Sequence, residues 1–190
     1  MLLLNDCLTY FPDFINPEDS FVYLKLLLGN INWQQEILRI YGREVKTPRL
    51  TAFYGNESIA YKYSGSKFYA QPWTVELTDI KIKTEEVANQ RFNCVLLNYY
   101  RDGNDSMGWH SDDEKELGIN PIIASVNFGE ERRFDFRSKL DHKLKHSIVL
   151  QNGSLLLMKG DIQHQWQHQI AKTKHQIGER VNLTFRLVKP

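Results

Sequence analysis

Hydrophobic and polar residues alternate most regularly near the C-terminus, between residues 180 and 186. Successive side chains of a β-strand point to opposite faces, so Val181, Leu183 and Phe185 would share one face. The other face would carry Arg180, Asn182, Thr184 and Arg186. The pattern predicts a strand over 180–188 with one apolar and one polar face.

Shorter runs of the same kind, separated by turn residues, fill the rest of the C-terminal half. They predict strands at 92–100, 109–112, 122–128, 132–137, 146–151, 154–158 and 165–170. Many short strands joined by turns are typical of a β-sandwich or a β-barrel.

Two helices are predicted before these strands. Asn16 is a suitable N-cap, Pro17 a suitable first helical residue and Gly29 a suitable end, which places one helix at 17–28. A second helix is predicted over 74–89. The remaining predicted strands are 8–11, 34–40 and 45–53, the last two joined by a turn at 41–44. The fold class is therefore mainly β with flanking helices (α+β).

Composition limits the alternatives. The 190 residues are enough for one hydrophobic core, so we predict a single domain over 1–190. The net charge of +1 gives no global basic field for nucleic acid, although local patches remain possible. Cys7 and Cys94 both lie beside apolar residues, which favours reduced, buried thiols. The start of the chain lacks the pattern of a signal peptide and no apolar run reaches membrane length, so we expect a cytoplasmic protein without a membrane partner.

Candidate chemistry begins at His110-Ser111-Asp112. In an extended backbone His110 and Asp112 point the same way, which supplies two ligands of a metal site. The best third ligand is His168, with His164 as its rival. Two His and one carboxylate on one side of a metal form the facial arrangement of non-haem Fe(II) oxygenases.

Each pattern also has an ordinary explanation. A His-x-Asp pair is more often a polar pair on a surface strand, and an alternating strand is more often half-exposed. However, Asn98 and Tyr100 repeat the polar spacing on the strand that leads to His110. Two such strands could line a barrel around a polar ligand, and Arg180 and Arg186 could then hold a dicarboxylate.

Together these motifs resemble the AlkB family of Fe(II)/2-oxoglutarate dioxygenases, closest to the branch that repairs alkylated bases in duplex DNA. The resemblance rests on Asn98-x-Tyr100, His110-x-Asp112, His168 and Arg180-x-Asn182-x-Thr184-Phe185-Arg186. It extends over most of the chain from Ile37 to Arg186. It implies a double-stranded β-helix (jelly roll) over about 91–190, preceded over about 1–90 by an N-terminal extension and a nucleotide-recognition lid.

The resemblance also implies roles for individual residues. His110, Asp112 and His168 would hold Fe(II), with 2-oxoglutarate and O2 as co-substrates. The residues implied for 2-oxoglutarate are Asn98, Tyr100, Arg180, Asn182 and Arg186. Those implied for the substrate base are Tyr61, Tyr63, Asp113 and Glu114. The residues implied for a hairpin finger that fills the gap left by a flipped base are Ile40, Tyr41 and Gly42.

The activity implied is oxidative demethylation of 1-methyladenine and 3-methylcytosine in DNA, with release of succinate and formaldehyde. The partner would be DNA, as a duplex with a flipped damaged base, and the protein would be a monomer. Three alternatives remain at this point. The first is an RNA or tRNA demethylase of the same family, the second is a non-catalytic nucleic-acid-binding module, and the third is a dioxygenase that acts on protein or small molecules.

Overall fold

The computed structural model describes residues 2–4, 6–40, 43–57, 59–63 and 66–189, with the backbone alone at 2–3, 38–40, 60–63 and 66–68. Its helices are α1 (Pro17–Asn30), α2 (Val75–Ala88) and the single turn α3 (Ile162–Gln165). The N-terminal strands are β1 (Leu2–Leu3), β2 (Leu8–Phe11), β3 (Ile37–Ile40), β4 (Arg43–Lys46), β5 (Leu50–Gly55), β6 (Ala60–Tyr63) and β7 (Ser66–Tyr69). The C-terminal strands are β8 (Cys94–Tyr100), β9 (Met107–His110), β10 (Ile123–Gly129), β11 (Arg132–Ser138), β12 (Lys145–Leu150), β13 (Leu155–Met158), β14 (Trp166–Ile170) and β15 (Arg180–Arg186).

The strands form two antiparallel sheets and two hairpins. The large sheet has the order β1-β2-β13-β10-β15-β8-β5 and the small sheet the order β12-β11-β14-β9. Most neighbours in these sheets are not consecutive in sequence, as β15 between β10 and β8 shows. The hairpins are β3-β4 and β6-β7, and β6-β7 occupies the segment predicted to be the lid.

The large sheet is covered on both faces. One face packs against α1 and α2 through a cluster that includes Leu27, Leu77, Ile80 and Leu183. The other face turns toward the small sheet, and a second cluster that includes Phe136, Leu156 and Ile170 fills part of the space between them. Strand β15, in the middle of the large sheet, is therefore buried along its whole length. The alternative of a half-exposed strand with a solvated polar face is wrong.

The helix predictions are confirmed with one correction. Thr74 caps α2, its side chain accepting from the Leu77 N–H, and Asn89 ends the helix in the left-handed conformation. Helix α1 does not stop at Gly29 but continues to Asn30, and the Ile31 N–H still bonds to the Leu27 carbonyl. The space beside Gly29 is open, so nothing in the packing requires a glycine to end the helix there.

Several predicted strands are shorter than expected. The segment 45–53 is divided into β4 and β5, because Pro48 lies between them and has no N–H for a sheet. The segment 34–40 is a strand only from Ile37, and 165–170 only from Trp166, after the turn α3. The predicted strand 109–112 ends at His110, so Asp112 lies beyond it. Within the described residues, no helix is both long and apolar enough to cross a membrane.

Candidate metal and co-substrate site

Three potential metal ligands meet between the two sheets. The side chains of His110, Asp112 and His168 each offer one ligand atom, and these atoms all lie within 4.8 Å of one another. His110 and His168 are directly opposite on the paired strands β9 and β14. The structure therefore brings together the three residues predicted from sequence as ligands.

The two imidazoles present the same nitrogen to the carboxylate. The Nε2 atoms of His110 and His168 each lie 3.9 Å from an oxygen of Asp112. The Nδ1 of His110 is 2.9 Å from the carbonyl oxygen of Gly108, which favours a proton on Nδ1 and a lone pair on Nε2. His164, the rival ligand, is exposed on α3, so the choice of His168 agrees with the geometry.

Both histidines are held in the neutral form that binds metals. Burial lowers the pKa of His168 to about 3, despite the opposing effect of Asp112. Burial also lowers the pKa of His110. Because a metal competes with protons for the imidazole lone pair, these shifts favour metal binding at neutral pH.

Asp112 reaches the site for a different reason from the one the sequence suggested. It lies after β9, so the shared strand face does not orient it. Instead, Gln163 accepts a hydrogen bond from the Asp112 N–H at 2.9 Å, and Arg186 Nη2 donates to Asp112 Oδ1 at 2.7 Å. Burial alone would raise the pKa of this carboxyl, but Arg186 and the two histidines outweigh it and the pKa is lowered. Asp112 is therefore a buried carboxylate.

Arg180 provides a second guanidinium in the same cavity, in addition to that of Arg186. Its side chain is 1 % exposed, and Nη2 donates to Asn127 Oδ1 at 2.6 Å. The guanidinium lies 5.0 Å from the ring centroid of Tyr100. Among the described residues, its Nε and Nη1 have no hydrogen-bond partner. Burial lowers its pKa to about 10, against the opposing effect of Tyr100.

A buried guanidinium with two uncommitted nitrogens is costly unless an anion joins it. The planar fork of arginine matches a carboxylate, to which it can donate two parallel hydrogen bonds. This end of the cavity therefore fits a carboxylate ligand, and the other end, with its two imidazoles and one carboxylate, fits a divalent metal.

The polar side chains between these two ends form a continuous row across the large sheet. Asn182 lies opposite Asn98 on β8 and opposite Asn127 on β10. The Asn182 amide donates to Ser125 Oγ at 2.8 Å and to Asn127 Oδ1 at 3.1 Å. Asn182 therefore contacts Arg180 only indirectly, because both side chains donate to Asn127 Oδ1. All five residues predicted for 2-oxoglutarate line this cavity, namely Asn98, Tyr100, Arg180, Asn182 and Arg186.

Sequence reasoning missed three residues that build the site. Arg49 is buried and donates to Asn98 Oδ1 at 2.7 Å. Asn127 holds Arg180, and Gln163 holds the backbone of Asp112. The strand position of Asn127, opposite Asn182, could have indicated its role. Nothing in the pattern around Gln163 indicates that it is buried.

The residues predicted to meet the substrate are only partly described. Asp113 is exposed and forms an ion pair with Lys139, and Glu114 is half-buried beside it. Tyr61 and Tyr63 belong to β6, where the backbone alone is described. Of the residues implied for the finger, Ile40 ends β3, and Tyr41 and Gly42 lie outside the described residues.

The comparisons with known proteins agree with this site. Residues 7–186 match the model of the 2OG-Fe(II) oxygenase superfamily. The chain is 39% identical to alpha-ketoglutarate-dependent dioxygenase alkB homolog 3 of Mus musculus, over 95% of this chain and 65% of that protein. It is 38% identical to DNA oxidative demethylase ALKBH2 of Mus musculus, over 80% of this chain and 67% of that protein. The chain thus spans slightly less than two thirds of the length of alkB homolog 3.

The fold agrees as well. The solved structure of OsALKBH1 superposes with a TM-score of 0.69 at 15% sequence identity, over 97% of this chain and 99% of that one. This likeness confirms the fold that was predicted, a double-stranded β-helix with flanking helices.

This chain belongs to the 2OG-Fe(II) oxygenase superfamily, and within it to the AlkB family of Fe(II)/2-oxoglutarate dioxygenases. Membership implies Fe(II) as the cofactor and 2-oxoglutarate and O2 as co-substrates. The residues present fit these groups, because the cavity offers a facial set of ligands for Fe(II) and the free nitrogens of Arg180 for a carboxylate.

Proposed function

We propose that this protein oxidatively demethylates N-alkylated bases in nucleic acid, with 1-methyladenine and 3-methylcytosine in DNA as its substrates. The reaction would consume 2-oxoglutarate and O2 and release succinate, CO2 and formaldehyde. The observation that carries the proposal is the presence, in one cavity between the sheets, of the cluster His110, Asp112 and His168 and the buried Arg180. The names of the ALKBH2 relatives, DNA oxidative demethylases, support DNA as the substrate.

The protein's part in this reaction is to bind and orient. His110, Asp112 and His168 would hold Fe(II), and Arg186 would keep Asp112 ionised and aimed at the metal. Arg180, fixed by Asn127 and packed on Tyr100, would pair with the distal carboxylate of 2-oxoglutarate.

Asn98, held by Arg49, and Arg186 would bind the second carboxylate of 2-oxoglutarate, the one next to its keto group. When bound, Fe(II), 2-oxoglutarate and O2 supply the oxidant that hydroxylates the N-methyl group, after which the hydroxymethyl adduct loses formaldehyde.

The two acids that follow Asp112 in the chain support a cationic substrate. Asp113 and Glu114 follow the metal ligand Asp112 directly. Both 1-methyladenine and 3-methylcytosine are positively charged at neutral pH, whereas undamaged bases are neutral. Carboxylates at the mouth would therefore favour the damaged bases. Tyr63 would stack on the extruded base, and Tyr61 would form a hydrogen bond near it.

A finger formed by the segment between β3 and β4 would favour duplex DNA over a single strand. A base pulled from a duplex leaves a gap, and an aromatic side chain can fill it. Ile40, Tyr41 and Gly42 would form this finger. The Tyr41→Ala variant should then lose activity on duplex substrate and keep it on single strands. Equal activity of wild-type protein and variant on duplex substrate would contradict the proposed role of the finger.

The function is tested by following formaldehyde release from three oligonucleotides that each carry one 3-methylcytosine: duplex DNA, single-stranded DNA and RNA. We expect release from DNA, fastest from the duplex. Preferential release from RNA would favour an RNA demethylase. No release from any substrate, by folded protein with bound iron, would favour the non-catalytic binding module.

A further inference from the structure

The ammonium group of Lys139 lies between Asp113, which follows Asp112 in the chain, and the turn α3, which precedes the strand that carries His168. Its Nζ is 3.0 Å from Asp113 Oδ2 and donates to the Gln163 carbonyl at 2.8 Å. Its backbone N–H donates to the Gln165 carbonyl at 2.8 Å. Lys139 thus connects the end of β11 to the loop after Asp112 and to the turn α3.

This contact changes the charge that a substrate meets. Asp113 is one of the two acids proposed to face the methylated base, and its side chain is 49% exposed in the ion pair with Lys139. An ammonium in contact with a carboxylate offsets most of that carboxylate's attraction for a nearby cation. The bond to the Gln163 carbonyl keeps the ammonium beside Asp113, although a lysine side chain could otherwise turn into solvent.

We propose that Lys139 determines, through Asp113, how strongly the cavity mouth prefers a cationic methylated base over a neutral one. Lys139 is a positioning residue that does not itself touch the base. The inference rests on the proposed function, because it requires a methylated base beside Asp113. It predicts that Lys139 limits the preference for cationic bases, so that the enzyme also demethylates neutral methylated bases.

The test compares kcat/KM for formaldehyde release from two single-stranded DNA oligonucleotides of the same sequence. One carries 3-methylcytosine, which is cationic, and the other 3-methylthymine, which is neutral. The Lys139→Met variant should raise the ratio of the two values by about two- to fivefold, the range expected for a half-exposed ion pair. Lys139→Gln keeps a donor for Gln163 without the charge and should raise the ratio similarly. Lys139→Arg keeps the charge and should leave the ratio near that of wild-type protein.

Two controls separate this role from a general effect of charge or stability. Lys143→Met removes the same charge from the neighbouring exposed turn and should leave the ratio unchanged. In an Asp113→Asn background, Lys139→Met should lose most of its effect on the ratio.

The inference is overturned if Lys139→Met and Lys139→Gln keep the wild-type ratio, or if the full effect persists without the Asp113 carboxylate. Wild-type protein that demethylates neither oligonucleotide would overturn the proposed function together with this inference.

Discussion

The two faces of strand β15 are equally buried and opposite in chemistry. Val181, Leu183 and Phe185 are 0% exposed and belong to the cluster that α1 and α2 cover. The other face is also buried, at 1–7% exposure, and lines the cavity with Arg180, Asn182, Thr184 and Arg186. Burying an apolar side chain contributes about 1.5–3 kcal/mol, whereas a buried polar group without a partner costs about 1–3 kcal/mol. The helix-facing side therefore stabilises the fold, and the cavity-facing side, where Nε and Nη1 of Arg180 have no partner among the described residues, is the side that we propose binds the ligand.

The largest expected effect is on the cavity-facing side. The Asp112→Ala variant removes the only carboxylate of the metal cluster and should lower the rate of formaldehyde release about a thousandfold or more, since the metal contributes several kcal/mol. Bound Fe(II) per chain should fall with it. Asp141→Ala, an exposed acid on the β11-β12 turn, is the matched control and should bind Fe(II) normally. Normal Fe(II) content in Asp112→Ala would show that the metal lies elsewhere.

The helix-facing side should show the reverse behaviour. The Leu183→Ala variant leaves a cavity under α1 and α2 and should lower the free energy of unfolding by about 2–5 kcal/mol, measured by urea titration. Its KM for 2-oxoglutarate should stay close to the wild-type value at a temperature where the variant is folded. A large rise in KM with little loss of stability would mean that the two faces are not separable.

Arg180 offers a sharper version of the same comparison. Arg180→Met keeps most of the side-chain volume and removes the charge, so 2-oxoglutarate binding should weaken about tenfold or more. The stability of the ligand-free protein should change little or rise, because the variant no longer buries an uncompensated guanidinium. Calorimetric titration and urea unfolding measure the two effects. A strong loss of stability in the ligand-free variant would contradict this view of Arg180.

The pH dependence of the free energy of unfolding should distinguish the His168 variant from the His164 variant. The folded-state pKa of His168 is about 3, and the unfolded value is about 6.5. Below pH 6.5 the unfolded chain binds a proton that the folded chain does not, so stability is full above pH 6.5 and falls as the pH is lowered. His168 should account for a loss of about 2 kcal/mol at pH 5 in metal-free protein. In His168→Gln, the free energy of unfolding should depend less on pH than it does in wild-type protein. In the exposed His164→Gln, its pH dependence should be the same as in wild-type protein.

The sequence predicted most strands and the three residues that meet as potential metal ligands. The strands and the pair His110 and Asp112 follow from local alternation and residue type, whereas the resemblance to the AlkB family favoured His168 over His164. It could not show that both faces of β15 are buried, since an alternating pattern is the same for a half-exposed strand and for a strand between a helical layer and a polar cavity. The contacts of Asn127 with Arg180, of Gln163 with Asp112 and of Lys139 with Asp113 also join segments that are distant in the chain. Only the folded arrangement shows them.

Asp112 shows the same limit of local sequence patterns. It was predicted to lie in the site, but the structural reason given for that prediction was wrong. Its spacing from His110 suggested a common strand face, but β9 ends at His110. The carboxylate is held in the cavity by Arg186 and by the side chain of Gln163. Spacing identified the residue, and tertiary contacts position it.

The most direct test of the central claim is a single turnover. Protein would be loaded anaerobically with Fe(II), 2-oxoglutarate and a 3-methylcytosine oligonucleotide, then mixed with O2, and succinate and formaldehyde would be measured together. The account predicts near-equal amounts of both products from wild-type protein and neither from Asp112→Ala. Succinate without formaldehyde would support oxygenase activity and contradict demethylation of this substrate. The absence of both products from folded, iron-loaded protein would contradict the account of the cavity.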